Sequence, residues 1–181
     1  VYLGTPEISA RVLEKMIAAN YNIVAVVSQE DKPVGRKQII TATPVKKVAL
    51  AHDIPVFQPH KIREENSFLS ELNPDIVLTM AYGQIVPLEV LEAPKYKALN
   101  LHGSLLPKYR GASPIQAALL NGDKISGVTL MEMVEAMDAG NMFYKSIVEI
   151  SEDDNYDTLQ LKISDAAFDA FDKGIDAIIN E

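Results

Sequence analysis

Asn100 and His102 stand two positions apart in the run Asn100-Leu101-His102-Gly103-Ser104. On a β-strand, residues i and i+2 project from the same face. At a strand end this run would present an amide and an imidazole together, with Leu101 turned to the core and Gly103 permitting a sharp exit. Asparagine offers two N–H donors and one acceptor, and histidine donates or accepts according to its protonation. Two adjacent donors aimed at one point are what a developing oxyanion needs. A second polar element is Met137-Asp138-Ala139-Gly140, a carboxylate in a small-residue turn. An Asp138 close to His102 would orient the ring, or take a proton directly or through water. Residue types and spacing leave a structural role open, since Asn, His and Asp at strand ends also serve in turns and in satisfied core hydrogen bonds.

Other chemistries find less material. Cysteine is absent, which excludes disulfides, thiolate catalysis and Cys-based zinc sites. There is no His-x-x-x-His pair, so no metal site is expected. His52 reads as a helix-end residue and His60 as a solvated loop residue. Ser104 follows His102 too closely for a nucleophile–base pair, and no G-x-S-x-G occurs. Gly4-Thr5-Pro6 is not G-x-G-x-x-G, and there is no Walker sequence. The formal charge is −8. A phosphate-binding protein normally carries a basic footprint, so an RNA substrate would need a local basic patch or a second domain. No apolar run approaches the roughly 18 residues of a membrane span, and no signal peptide is visible. A cytoplasmic protein is expected. The chain opens at Val1 inside a strand-like run and stops at Glu181 within a helical one; both ends are expected to be cuts.

The elements that must position these residues alternate β-rich runs with helical periodicity. That alternation predicts an α/β fold on a mostly parallel, Rossmann-like sheet with flanking helices and an antiparallel strand near the C-terminal edge. At 181 residues one domain, 1–181, is expected. Strands are predicted at Val1–Leu3, Ile23–Val27, Pro55–Phe57, Asp75–Met80, Ala98–His102, Val128–Met133 and Met142–Ile150. Helices are predicted to open at Thr5-Pro6 and Thr43-Pro44, each with Thr as N-cap and Pro at the first helical position. Others follow at Glu64–Leu72, after a capping box at Ser113, and at Asp157–Ile179, where Leu159, Ile163, Ala167, Ala170, Phe171, Ile175 and Ile178 share one side. Gln29–Ala42 reads as a long loop. Ligands of open α/β sheets bind beyond the carboxyl ends of the strands, which directs attention to the turn after Met80 and to the segment from Asn100.

The stretch Asn100–Gly140, with its N-L-H-G-S-L-L-P-K-Y-R-G core and M-D-A-G turn, resembles the signature region of the folate-dependent formyltransferases. The likeness runs from L-G-T-P near the start through M-A-Y-G after the fourth strand. It implies the formyltransferase fold, 10-formyltetrahydrofolate as co-substrate, no metal, and Asn100, His102 and Asp138 as the catalytic residues. It also implies a folate pocket from Met80, Ala81, Tyr82 and Gly83 together with Ser104, Leu105, Leu106 and Pro107. Within the family, Gly4-Thr5-Pro6, Gly111–Gln116 and the Asp31–Lys46 segment fit the branch that formylates methionyl-initiator-tRNA for translation initiation. By that likeness Gly35, Arg36 and Lys37 meet the RNA. The likeness implies a C-terminal β-barrel for tRNA that is expected to be absent from this chain, and a monomer is expected. A nucleotide-sugar amine acceptor or a hydrolase-type domain shares the same signature.

Overall fold

Short aliphatic runs covered on both faces make the parallel strands of this chain, which is why they lack polar–apolar alternation. The computed structural model describes residues 1–106, 108–109, 114–135 and 139–180. The chain divides into two compact units, Val1–Ala98 and Leu99–Glu181.

The first unit runs β1 (Tyr2–Gly4), α1 (Glu7–Ala18), β2 (Val26–Val27), β3 (Lys32–Val34), β4 (Ile39–Thr41), α2 (Pro44–Ala51), β5 (Val56–Phe57), α3 (Ser67–Leu72), β6 (Ile76–Met80) and α4 (Leu88–Glu92). β5, β2, β1 and β6 lie side by side, all parallel. Tyr2 pairs with Val26 on one side and Leu78 on the other. The chain steps outward from β1 through β2 to β5 and then returns to the far side of β1. The strand order therefore reverses between β1 and β6, the place where open α/β sheets take ligands. Leu3, Val12, Leu13, Val26, Val27, Val45, Ala49 and Val77 have no exposed surface and form the core of this unit.

β7 (Lys97–His102) crosses the unit boundary, and the second unit continues with α5 (Pro114–Leu120), β8 (Ile125–Glu132), β9 (Met142–Glu149) and α6 (Tyr156–Ile179). β8 runs antiparallel to both β7 and β9, so the reversal lies one strand inside the C-terminal edge. α6 packs on β8 and β9, and all seven residues of its predicted stripe are buried. The fold is the expected α/β class, a mostly parallel sheet with helices and an antiparallel end. Among the described residues no helix is long and apolar enough to cross a membrane.

Local signals held where nothing competed for them. Thr43 caps α2, its Oγ1 accepting from Lys46 N–H at 3.1 Å, with Pro44 in the first turn. Asn155 and Thr158 form a reciprocal capping box at α6. Thr5 does not cap α1. The helix starts at Glu7 behind Pro6, and the Thr5 hydroxyl donates to the Tyr82 carbonyl instead. Only Val26 and Val27 of the Ile23–Val27 run pair. α3 starts at Ser67, because Lys61–Glu65 closes its own turn on the Lys61 carbonyl. The short helix α4 was not expected. The Gln29–Ala42 segment is not a plain loop: β3 and β4 pair as an antiparallel hairpin, Lys32 with Thr41 and Val34 with Ile39. Its apolar residues Val34, Ile39 and Ile40 are exposed, so no buried face imposed a readable period. The capping box expected at Ser113 lies outside the described residues.

Candidate active site

Asn100 and His102 sit on one face of β7, opposite Met131 and Thr129 of β8. Leu101, between them, is buried on the other face. Asn100 is half-buried and His102 is 7% exposed. His102 Nε2 lies 2.7 Å from the carbonyl oxygen of Tyr109. A carbonyl only accepts, so Nε2 carries the proton. The exit after His102 needs no special glycine, since a Cβ at Gly103 would make ordinary contacts with Pro114 and Ile163.

The segment after β7 is tied to β8, β9 and the turn between α5 and β8 by polar contacts. Thr129 Oγ1 donates to the Ser104 carbonyl at 2.7 Å and accepts from Leu106 N–H at 3.1 Å. Ser104 Oγ donates to the Lys108 carbonyl at 2.6 Å, and Lys145 Nζ donates to the Leu106 carbonyl at 2.6 Å. The Tyr109 hydroxyl donates to Asp123 Oδ2 at 2.6 Å and accepts from Asn121 Nδ2 at 2.9 Å. That bond to Tyr109, with a further one from Lys108, holds the Asp123 carboxyl below the usual carboxylate range. The Ser104 hydroxyl and carbonyl and the Leu106 N–H and carbonyl are all engaged in these contacts. Leu105 stays half-buried, and Pro107 lies outside the described residues.

Gly140, the last residue of the M-D-A-G motif, sits against the end of β8, where a Cβ would run into the Glu132 carbonyl oxygen. Glu132 N–H donates to the Asn141 carbonyl at 2.8 Å, closing that end. Met137 and Asp138 lie outside the described residues.

A second polar cluster belongs to the first unit, at the carboxyl ends of β1, β2, β5 and β6. In the turn after β6, Ala81 and Gly83 take φ of 52° and 100°, and Met80 and Tyr82 are buried. Among the described residues the buried Tyr82 hydroxyl has no hydrogen-bond partner, and burial pushes its pKa up to about 12. Gln29 Nε2 donates to the Gly83 carbonyl at 2.9 Å. Gln84 donates to Gln29 Oε1 at 2.8 Å and accepts from Ile62 N–H at 2.8 Å. Asp31 accepts from Gln58 at 2.7 Å and from Lys46 at 3.0 Å, contacts that draw its pKa down and anchor the base of the hairpin. Gly35, Arg36 and Lys37 form its exposed tip. His60 Nδ1 meets Glu30 Oε1 at 2.6 Å in an exposed contact. Gln29, Gln58 and Gln84 were missed in the sequence; the signal was a glutamine within four residues of the end of each of three parallel strands. Among the described residues no group of three potential metal ligands occurs.

The fold and this strand-end pair define a class, and the family model described as Formyl transferase matches residues 1–174: the chain belongs to the formyl transferase family. Among curated proteins, it is 48% identical over 182 residues to methionyl-tRNA formyltransferase of Lactobacillus acidophilus, covering 99% of this chain and 58% of that protein. It is 45% identical over 181 residues to the methionyl-tRNA formyltransferase of Bacillus thuringiensis subsp. konkukian, with the same coverage. The chain thus spans 58% of the length of these relatives. Phosphoribosylglycinamide formyltransferase from Bacillus halodurans superposes with a TM-score of 0.79 at 21% identity, covering 99% of this chain and 94% of that one, a likeness of fold. An N-formyltransferase from Helicobacter canadensis, solved in complex with folinic acid and dTDP-3-aminofucose, gives 0.69 at 26% identity, covering 99% of this chain and 63% of that one.

Proposed function

We propose that this chain carries the formyl-transfer site of a methionyl-tRNA formyltransferase, a cytoplasmic monomer in translation initiation. The methionyl amino nitrogen, esterified to initiator tRNA, attacks the formyl carbon of 10-formyltetrahydrofolate. A C–N bond forms and the formyl oxygen becomes an oxyanion. Collapse breaks the bond to N10 of the folate; the attacking amine loses one proton and N10 gains one. Asn100 donates to the formyl oxygen. His102 acts in its protonated form: Nδ1–H donates to the oxyanion while Nε2–H stays on the Tyr109 carbonyl. Asp138 is assigned the amine proton, directly or through water.

The observation that carries this reading is the placement of Asn100 and His102 on one face of β7 within the family-matched span. The relatives' shared name supports the acceptor. The folinic acid of the Helicobacter canadensis enzyme supports a reduced folate as donor, held by Met80–Gly83 and Ser104–Pro107. The exposed hairpin tip at Gly35, Arg36 and Lys37 is assigned the RNA. With a formal charge of −8 on this chain, most phosphate contact is assigned to the part of the relatives beyond the matched span.

Formylation of charged initiator tRNA by the full-length protein tests the reading, with uncharged tRNA, an amino-sugar nucleotide and acceptor-free formate release as controls. Asn100→Ala, His102→Ala and Asp138→Ala should each lower turnover by about 10²–10³ while leaving the protein folded. Near-normal turnover in all three rejects it.

A further inference from the structure

We propose that Asp123 is a positioning residue for His102, acting through Tyr109; the proposal rests on the formyl-transfer reading of the site. Tyr109 sits at φ 53°, a left-handed conformation that a bulky residue keeps only when its surroundings over-determine it. Its side chain supplies the constraint. The hydroxyl is clamped between Asp123 Oδ2 at 2.6 Å and Asn121 Nδ2 at 2.9 Å, both in the turn between α5 and β8. Lys108 Nζ reaches the same Asp123 oxygen at 3.3 Å, and the Lys108 carbonyl is fixed by Ser104 Oγ. One carboxylate thus holds two consecutive residues, and the outcome is a Tyr109 carbonyl aimed at His102 Nε2 from 2.7 Å.

That carbonyl decides which ring nitrogen bears the proton, because the group bonded to one nitrogen sets the state of the other. A charge-assisted phenol–carboxylate bond is among the stronger single hydrogen bonds available, which suits a tie that must hold a strained backbone. Without it Tyr109 relaxes to negative φ, its carbonyl swings away, and the imidazole loses the bond that favours its Nε2–H tautomer.

The test is ring ¹⁵N NMR of histidine in the full-length protein, recorded well above the ordinary imidazole range of about 6.5, beside steady-state formyl transfer. Tyr109→Phe and Asp123→Ala are compared with the exposed-site control Glu14→Ala. The wild type and the control should show His102 as the Nε2–H tautomer. Both tie variants should show a tautomer mixture, with kcat down about 10- to 100-fold and the KM for the formyl donor within about twofold of wild type. If Asp123→Ala does not fold, Asp123→Asn takes its place, with a smaller shift in the same direction. Wild-type ring shifts in both tie variants overturn the proposal, whatever the turnover. Shifted ring signals with normal turnover uphold the tie and overturn His102 as a transfer residue, so the two failures are told apart.

Discussion

The Thr5 hydroxyl donates to the Tyr82 carbonyl at 2.6 Å, joining the turn after β1 to the turn after β6 where the strand order reverses. The same oxygen accepts from Gln29 N–H at 3.3 Å. Thr5→Val keeps the shape and removes both bonds. Leaving a carbonyl unpaired should cost about 1 kcal/mol or more in thermal unfolding. If this turn holds the folate, the variant raises the KM for the formyl donor more than it lowers kcat. A destabilised enzyme with unchanged KM would remove the turn from the binding site.

Gly140→Ala should be far more damaging than its size suggests. The added methyl would collide with a backbone oxygen, that of Glu132, and a strand end cannot yield as a flexible side chain does. The expected result is a folded protein with formyl transfer reduced at least about tenfold, because the turn two residues after Asp138 must move. Circular dichroism and turnover on the same preparation check it, and wild-type turnover would show that the turn tolerates displacement.

What the sequence revealed and what it hid follow one physical rule. Burial on one side of a regular element leaves a period, so the α6 stripe from Leu159 to Ile178 and the placement of Asn100 and His102 on a strand were legible. The β3–β4 hairpin buries almost nothing, and its exposed Val34, Ile39 and Ile40 carry no period. Thr5 had the residue types of a helix cap, yet a carbonyl 77 positions away won its hydroxyl; no local rule sees that distance. Tyr109 was hidden for the same reason, since its part in the site comes from a backbone carbonyl, which every residue has, and from an aspartate 14 positions on.

Gly174 tests packing against propensity. It lies within α6, where Ala is favoured over Gly by about 1 kcal/mol. A Cβ there would stand 2.5 Å from Leu130 Cδ2 and 3.2 Å from Tyr144 Cβ. Leu130 has no exposed surface and little room to turn. Overpacking costs about 1–3 kcal/mol, so Gly174→Ala should be net destabilising by about 1 kcal/mol in chemical denaturation. A gain in stability would mean that Leu130 repacks freely.

Asp154 sets an acid limb. Its carboxylate accepts from Lys162 Nζ at 2.6 Å, Ser151 N–H at 2.8 Å and the Thr158 hydroxyl at 2.9 Å. These bonds, that of Lys162 foremost, hold its pKa down at about 2, against about 3.9 for an unfolded aspartate. Between those values the unfolded chain binds the proton more readily, so stability falls as pH falls. The contribution should be complete above about pH 4 and gone near pH 2. Asp154→Asn should flatten this part of a stability–pH curve, and curves that run parallel through the window would refute the assignment.

Tyr82→Phe separates cost from use at one buried atom. The phenol is 3% exposed and its hydroxyl has no hydrogen-bond partner among the described residues. A buried unsatisfied polar group costs about 1–3 kcal/mol, so the phenylalanine variant should be more stable by about 1 kcal/mol. Because burial raises the phenol to about 12, from an ordinary value of about 10, the folded state keeps its proton longer. That contribution is full below about pH 10 and is lost as pH rises toward 12; the variant lacks this alkaline loss. If the hydroxyl is retained as a donor or acceptor for the folate, the same substitution weakens titrated binding of the reduced folate while it strengthens the fold. Greater stability with unchanged folate affinity would leave the phenol without a part in binding, and lower stability would mean that the hydroxyl is satisfied after all.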